Sequence, residues 1–182
     1  MTKILSAARR AGNPSVSESI ADQVLNSVDT YIDGSVLPFS RQDARTAIRW
    51  RGWITKTAAG VAVPAFKIRK GTAGAIADAA LVTLSTVAQT AVADVGFFEI
   101  LAILRAAGSG TSAVLAAVLR LQHNGEAAGA GVGFANIASP IVEAVSAGFD
   151  STVRDQVLGL SIDPGAAGVW TVRGLTAEIT NT

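Results

Sequence analysis

The chain has one histidine, His123, in Leu121-Gln122-His123-Asn124-Gly125. Acid–base catalysis would have to use that imidazole or a pair of carboxylates. A general base also needs an orienting partner and a nucleophile, and nothing in the sequence ties any of the many serines to His123. The Asn-Gly pair that follows is a hairpin signal, so His123 reads as the polar close of a strand. Asp150, Asp155 and Asp163 are near enough in sequence to suggest calcium, but their spacing matches no EF-hand loop. They read as solvated turn residues. A glycosidase needs two carboxylates across a cleft, and no feature selects a pair from the 14 scattered acids. Gly129-Ala130-Gly131-Val132-Gly133 lacks both the spacing and the strand–helix context of a dinucleotide loop. Cysteine is absent, which excludes thiolate nucleophiles, disulfides and cysteine-ligated metals. No catalytic residue, metal or cofactor is expected.

Charge is the more informative polar feature. The net charge is +1, yet Arg41–Lys70 holds eight basic residues against the single acid Asp43, while residues 11–40 carry Glu18, Asp22, Asp29 and Asp33 with no base. Trp50 and Trp53 interleave with arginines, as in some nucleic-acid binders. Strand alternation, however, puts Arg49 and Arg51 on the face opposite Trp50, and the overall charge balance offers little to phosphates. Nucleic acid is therefore not expected as a partner. Segregated opposite charges suit pairing between protomers or docking on an acidic protein shell. The expected protein-contact patch is Arg41, Arg45, Arg49, Arg51, Lys67, Arg69 and Lys70. Trp50, Trp53, Phe66, Phe97 and Trp170 are expected in the core or an interface.

The elements that must position these residues read as β structure from Tyr31 onward. Turn signals occur at Gly71-Thr72-Ala73-Gly74, Asp94-Val95-Gly96, Gly108-Ser109-Gly110, Asn124-Gly125, Gly148-Phe149-Asp150 and Asp163-Pro164-Gly165, and strand-length segments lie between them. Side chains alternate in character along Ile48–Arg51, Phe66–Arg69 and Val169–Arg173, giving one wet and one dry face. Phe97–Arg105 and Ala113–Leu121 are rich enough in alanine and leucine for helices, but the surrounding β-branched residues and bracketing glycines favour strands. The count is about eight strands in residues 30–180, an antiparallel β-sandwich of jelly-roll type. Residues 1–27 are expected as a tethering arm bearing Lys3, Arg9 and Arg10, with residues 28–182 as the sandwich. Within the arm, Ser15 and Glu18 have capping-box spacing and Ile20, Val24, Leu25 and Val28 could share a helical face, so a short helix over about 16–27 is possible.

Apolar residues make up 49% of the chain and charged residues only 16%, against roughly 25% charged in ordinary soluble domains. With few charges to cover its surface, the protein is expected to bury much of it against partners. The longest charge-free stretches, Ala79–Ala93 and Ala127–Val142, fall short of the roughly 20 residues that span a bilayer. No membrane partner is expected, and the start MTKILSAARRAGNPS lacks the apolar core of a signal peptide.

Four segments, in this order, resemble a module of tailed-phage virion proteins: TAIRWRGWITKTAAGVAVPAFKIRKGTAG (46–74), ADAALVTLSTVAQTAVADVGFFEILAILR (77–105), LQHN (121–124) and GFDSTVRDQVLGLSIDPGAAGVWTVR (148–173). The likeness covers about residues 28–180. The module is similar to jelly-roll, often trimeric, particle-surface domains of capsid decoration (cement) proteins and of head and tail fibres. It implies no enzyme activity. It implies a virion structural protein made in the bacterial cytoplasm and forming a homotrimer; the first 25 or so residues match nothing in the module, and the basic arm is expected to dock the domain on the major capsid protein. A chain with only an arm and one sandwich favours a decoration protein. The alternative is a head-fibre, collar or tail-fibre domain that contacts host glycan, with Trp53 and the Gly125–Gly133 loop as its recognition surface.

Overall fold

A computed structural model describes residues 15–40, 42–59, 61–86, 88–123, 141–166 and 168–180. Among them there is no helix, and twelve strands form two antiparallel sheets packed as a sandwich. The strands are β1 (Ser15–Ser19), β2 (Gln23–Asn26), β3 (Thr30–Tyr31), β4 (Leu37–Pro38), β5 (Ala47–Lys56), β6 (Ala65–Gly71), β7 (Ala79–Ser85), β8 (Asp94–Ala106), β9 (Val114–His123), β10 (Ile141–Val145), β11 (Val157–Asp163) and β12 (Val169–Thr180). The larger sheet runs β1-β12-β5-β8-β9-β10, with β2 also on β12; the smaller runs β3-β11-β6-β7, with β4 also on β11.

Among the described strands the chain changes sheet six times, and two of these crossings define the winding. β5 passes to β6 and β11 passes to β12. The two ribbons lie side by side, because β12 pairs with β5 in one sheet and β11 with β6 in the other. A chain rolled up as a double ribbon is the jelly-roll pattern. The expected all-β antiparallel sandwich is thus formed. Strands β5 to β12 carry most of it, and four short edge strands precede them.

Alternation decides the burial. Ile48, Trp50 and Ile54 of β5, Phe98, Ile100, Ala102 and Leu104 of β8, and Leu115, Ala117, Leu119 and Leu121 of β9 face inward. They meet Phe66, Ile68, Leu158, Leu160 and Ile162 from the smaller sheet. Phe66 is the centre of the aromatic packing, 5.4 Å from Phe98 and 6.3 Å from Trp170 between ring centroids. Period-2 burial along Phe97–Arg105 and Ala113–Leu121 shows why these alanine-rich runs are strands: each buries only every second side chain.

The short helix over 16–27 is not formed. Val16, Ile20, Val24 and Val28 are exposed and only Leu25 is buried, so the apolar residues do not share a helical face. The segment is spent on β1 and β2, both paired with β12, which removes Ser15–Asn26 from the expected arm. Lys3, Arg9 and Arg10 lie outside the described residues.

The Gly71–Gly74 turn is organised by Asp78, whose carboxylate accepts hydrogen bonds from the backbone N–H groups of Ala73, Gly74 and Ala75 at 3.2, 2.7 and 3.3 Å. A side chain at Gly71 would run into that carboxylate, so glycine is required there. Ser35 ties the sheets together. Its hydroxyl donates to Leu160 O (3.3 Å) and accepts from Leu160 N–H (3.0 Å), while its own carbonyl accepts from Trp50 Nε1 (2.8 Å). Ser35→Ala is expected to cost about 1–2 kcal/mol, since it strips a buried backbone N–H of its partner. A thermal melt that does not move would refute this role.

Candidate functional site

The basic segment does not form one patch. Arg49 and Arg51 project from the outer face of the larger sheet, and Lys67 and Arg69 from the outer face of the smaller, so the sandwich stands between them. Arg49 pairs with Glu178 (3.2 Å) and Glu99 (3.4 Å), and Arg51 lies 3.7 Å from Glu178. Arg120 approaches the other oxygen of Glu99 at 3.9 Å. Strands β12, β5, β8 and β9 thus carry a belt of three arginines and two glutamates across the middle of the face. Its members are partly exposed, so each pair is worth little to stability.

On the smaller sheet, Asp29 accepts from both Lys67 Nζ (2.6 Å) and Arg69 Nη2 (2.7 Å), and Asp163 also meets Lys67 at 3.3 Å. Arg69 further donates to Ser161 Oγ and to the carbonyls of Ile76 and Asp78. Burial alone would raise the Asp29 pKa, but the hydrogen bonds from Lys67, Ser161 and Arg69 outweigh it and hold the carboxyl below its ordinary range. The neighbouring Tyr31 phenol is pushed up to about 12 by burial and by the Asp78 charge. Part of the charge segregation between residues 11–40 and 41–70 is therefore satisfied within the chain, through Asp29, and is not left for a second protomer. Lys70 donates to Gln156 Oε1 (3.0 Å) and lies 5.8 Å from the centre of the Phe149 ring. Arg45 sits in the turn before β5 with φ +76°, and Arg41 lies outside the described residues.

Lys56, absent from the expected patch, is the buried cation. Its ammonium donates to the carbonyls of Thr57 (3.0 Å), Thr90 (2.8 Å) and Val92 (2.8 Å). Burial lowers its pKa, and Asp94 pulls the other way.

The aromatic residues divide by strand parity. Trp50, Phe66 and Trp170 are core. Trp53 and Phe97 are paired across β5 and β8 on the outer face, edge to face at 5.2 Å, and Trp53 is 58% exposed. Beside Trp53 the larger sheet breaks its regularity. Val172 pairs with Ile54 and Leu175 with Gly52, so Arg173 and Gly174 together stand opposite Trp53 alone. Such a bulge bends its strand and re-aims the side chains around it. Gly174 takes φ +125°, which a side chain would strain. The edge breaks at the same point: β1 pairs with β12 up to Leu175 and β2 only from Val172 back, leaving Ile20 93% exposed between them. The result is a trough of about 300 Å³ lined by Glu18, Ile20, Arg51, Trp53, Phe97 and Thr176, among others, with Gly52 and Gly174 contributing backbone. Sequence reasoning named Trp53 and Phe97 but missed Glu18, Gly174 and Thr176.

The described carboxylates do not assemble for metal: no group of three His, Cys, Asp or Glu able to hold an ion occurs among the described residues. Asp150 accepts from Gly110 N–H and from Thr152, which with the nearby Lys70 charge lowers its pKa against a small burial effect. Asp163 is engaged with Lys67, and Asp155 occupies a positive-φ turn. The His123 side chain and the Gly125–Gly133 loop lie outside the described residues. No described helix is long and apolar enough to cross a membrane.

No family model matches the chain, and no curated protein does. Among solved structures, lectin I from Ulex europaeus, in complex with the methyl glycoside of α-L-fucose, is similar at 9% identity and a TM-score of 0.39, covering 92% of this chain and 98% of that one. A likeness at that level carries no argument about function.

Proposed function

We propose that this chain is a structural virion protein of a tailed phage, a capsid decoration (cement) protein that associates with copies of itself and binds the major capsid shell. One observation carries the reading. Beside the charged belt, the outer face of the larger sheet carries an aliphatic field, in which Ala47, Ile103, Ala116 and Val145 stand in one cross-strand row and Leu101 and Val118 in the next, flanked there by Arg49 and Glu143. The field reaches the edge strand β10 at Val145, whose outward neighbours on that strand are Glu143 and Ile141. A flat aliphatic field continuous with an edge strand suits burial against a second copy of the same chain. The phage assignment itself rests on the segments 46–74, 77–105, 121–124 and 148–173. A protein that binds only the assembled lattice stabilises it by mass action.

Two measurements test the proposal. Hundreds of copies in purified particles are expected, and absence from particles would sink the virion reading. In solution the chain is expected as an oligomer, a trimer first among the options, that Ile103→Glu combined with Val145→Glu converts to a folded monomer. An unchanged mass by light scattering would remove the apolar field from the interface. A second reading, a head-fibre, collar or tail-fibre domain acting in host attachment, is favoured by the trough at Trp53. A dozen or so copies per particle would select it.

A further inference from the structure

The geometry points to the Trp53 trough as a binding site for a single neutral pyranose ring, such as the terminal residue of a glycan. Three features of the chain converge on it. The wall is an exposed indole, held edge to face by Phe97 beside it, and a pyranose presents one face of aliphatic C–H groups that packs against such a flat π surface. The floor includes backbone at Gly52 and Gly174, and at Gly174 an added side chain would meet only Ser19 O, at 3.6 Å, so the bulge leaves room for close approach. The rim offers a carboxylate, a guanidinium and a hydroxyl, from Glu18, Arg51 and Thr176. Sugar hydroxyls both donate and accept, and this set supplies partners of each kind.

Charge and size narrow the ligand. Arg51 is already shared with Glu178 at 3.7 Å and faces Glu18 across the same trough. With the exposed Arg173 in the bulge opposite Trp53, the charges around the trough, Glu18 and Glu178 against Arg51 and Arg173, balance, which favours a neutral ligand over a phosphate or an acidic sugar. A space of about 300 Å³ lies at the small end of ligand sites and holds about one ring. The site lies across the charged belt from Ile103 and Val145, and the inference does not depend on whether the protein sits on a capsid or on a fibre.

The test uses the full chain and the methyl pyranosides of glucose, galactose, mannose and N-acetylglucosamine. Trp50 and Trp170 are buried, so ligand-induced change in the red, solvent-exposed part of the tryptophan emission reports on Trp53, and saturation-transfer NMR provides a second readout. Saturable binding to at least one glycoside is expected, weakened at least ten-fold by Trp53→Ala and largely retained by Trp53→Phe, with unchanged melting temperatures. Glu18→Gln is expected to weaken binding less, by roughly three- to ten-fold, the loss of one charged hydrogen bond. No saturation by any of the four up to about 100 mM, far above the millimolar range of a weak single-ring site, would overturn the inference. So would binding that Trp53→Ala leaves intact. If Trp53→Ala instead changed only the oligomeric mass, the trough would be a contact between copies and the sugar site would be refuted.

Discussion

Lys56→Met is expected to lower stability by about 3 kcal/mol, one of the two largest effects among the substitutions considered, because it strands three carbonyls at once. Strand parity makes Lys56 the last inward residue of β5, and its ammonium gathers the carbonyls of Thr57, Thr90 and Val92 into one partly buried cluster. The cation thereby fastens the segment between β7 and β8 to the end of β5. Methionine matches the stem of lysine in volume, so the packing survives and the loss measures the hydrogen bonds. For a chain of 182 residues, a melting temperature lowered by roughly 6–12 °C corresponds to that cost. Lys56→Arg is not expected to rescue it, since a planar guanidinium does not direct three N–H groups onto three converging carbonyls. Amide exchange in residues 88–93 should accelerate more than elsewhere. A melt within about 2 °C of the parent, small against the uncertainty of such estimates, would show that water replaces the ammonium.

Asp29→Ala is expected to cost about 2–3 kcal/mol near neutral pH, as two partly buried cations lose their shared carboxylate. Asp163 still serves Lys67, and Ser161 with two carbonyls still serves Arg69, which keeps the figure from being larger. The pH dependence separates this role from simple packing. The folded-state pKa of Asp29 lies below its ordinary value, so the unfolded chain binds the proton more readily. The stabilisation is fully present above about pH 4, the range of an unfolded aspartate, and fades as pH falls through the lower folded value. The stability gap between the parent and Asp29→Ala should therefore close in acid. A gap that stays constant down to about pH 2, below the usual range of paired carboxylates, would contradict the electrostatic account.

The sandwich was legible because its signal is local. Alternation in Ile48–Arg51 and Phe66–Arg69 fixes which side chains are dry, and the turn clusters fix where strands stop. The first edge strands were not legible. Ser15–Glu18 has the spacing of a helix cap, and the preference for a strand comes from β12, some 160 residues away. The charge pattern misled for the same reason. Asp29 lies 38 and 40 residues from its two cations, and sequence order does not tell an intramolecular ion pair from one between protomers. The trough, by contrast, left a mark that alternation reasoning could have caught. In β12 the buried residues are Trp170 and Val172, then Leu175, Ala177 and Ile179. The slip from even to odd positions locates the bulge at Arg173-Gly174, directly opposite Trp53.

The antiparallel pairing of β1 with β12 places Ser15 beside Ile179 and runs inward to Ser19 beside Leu175. Whatever is joined ahead of Ser15 and behind Thr180 therefore leaves the sandwich from neighbouring points on one rim. A pull applied between those two points loads the ladder one rung at a time and peels β1 away like a zipper, whereas a load shared along the whole strand would meet all five rungs together. Tension carried through both attachments would find this rim the first part of the molecule to yield, while a load entering through the sheet face would meet the full breadth of the two-sheet core.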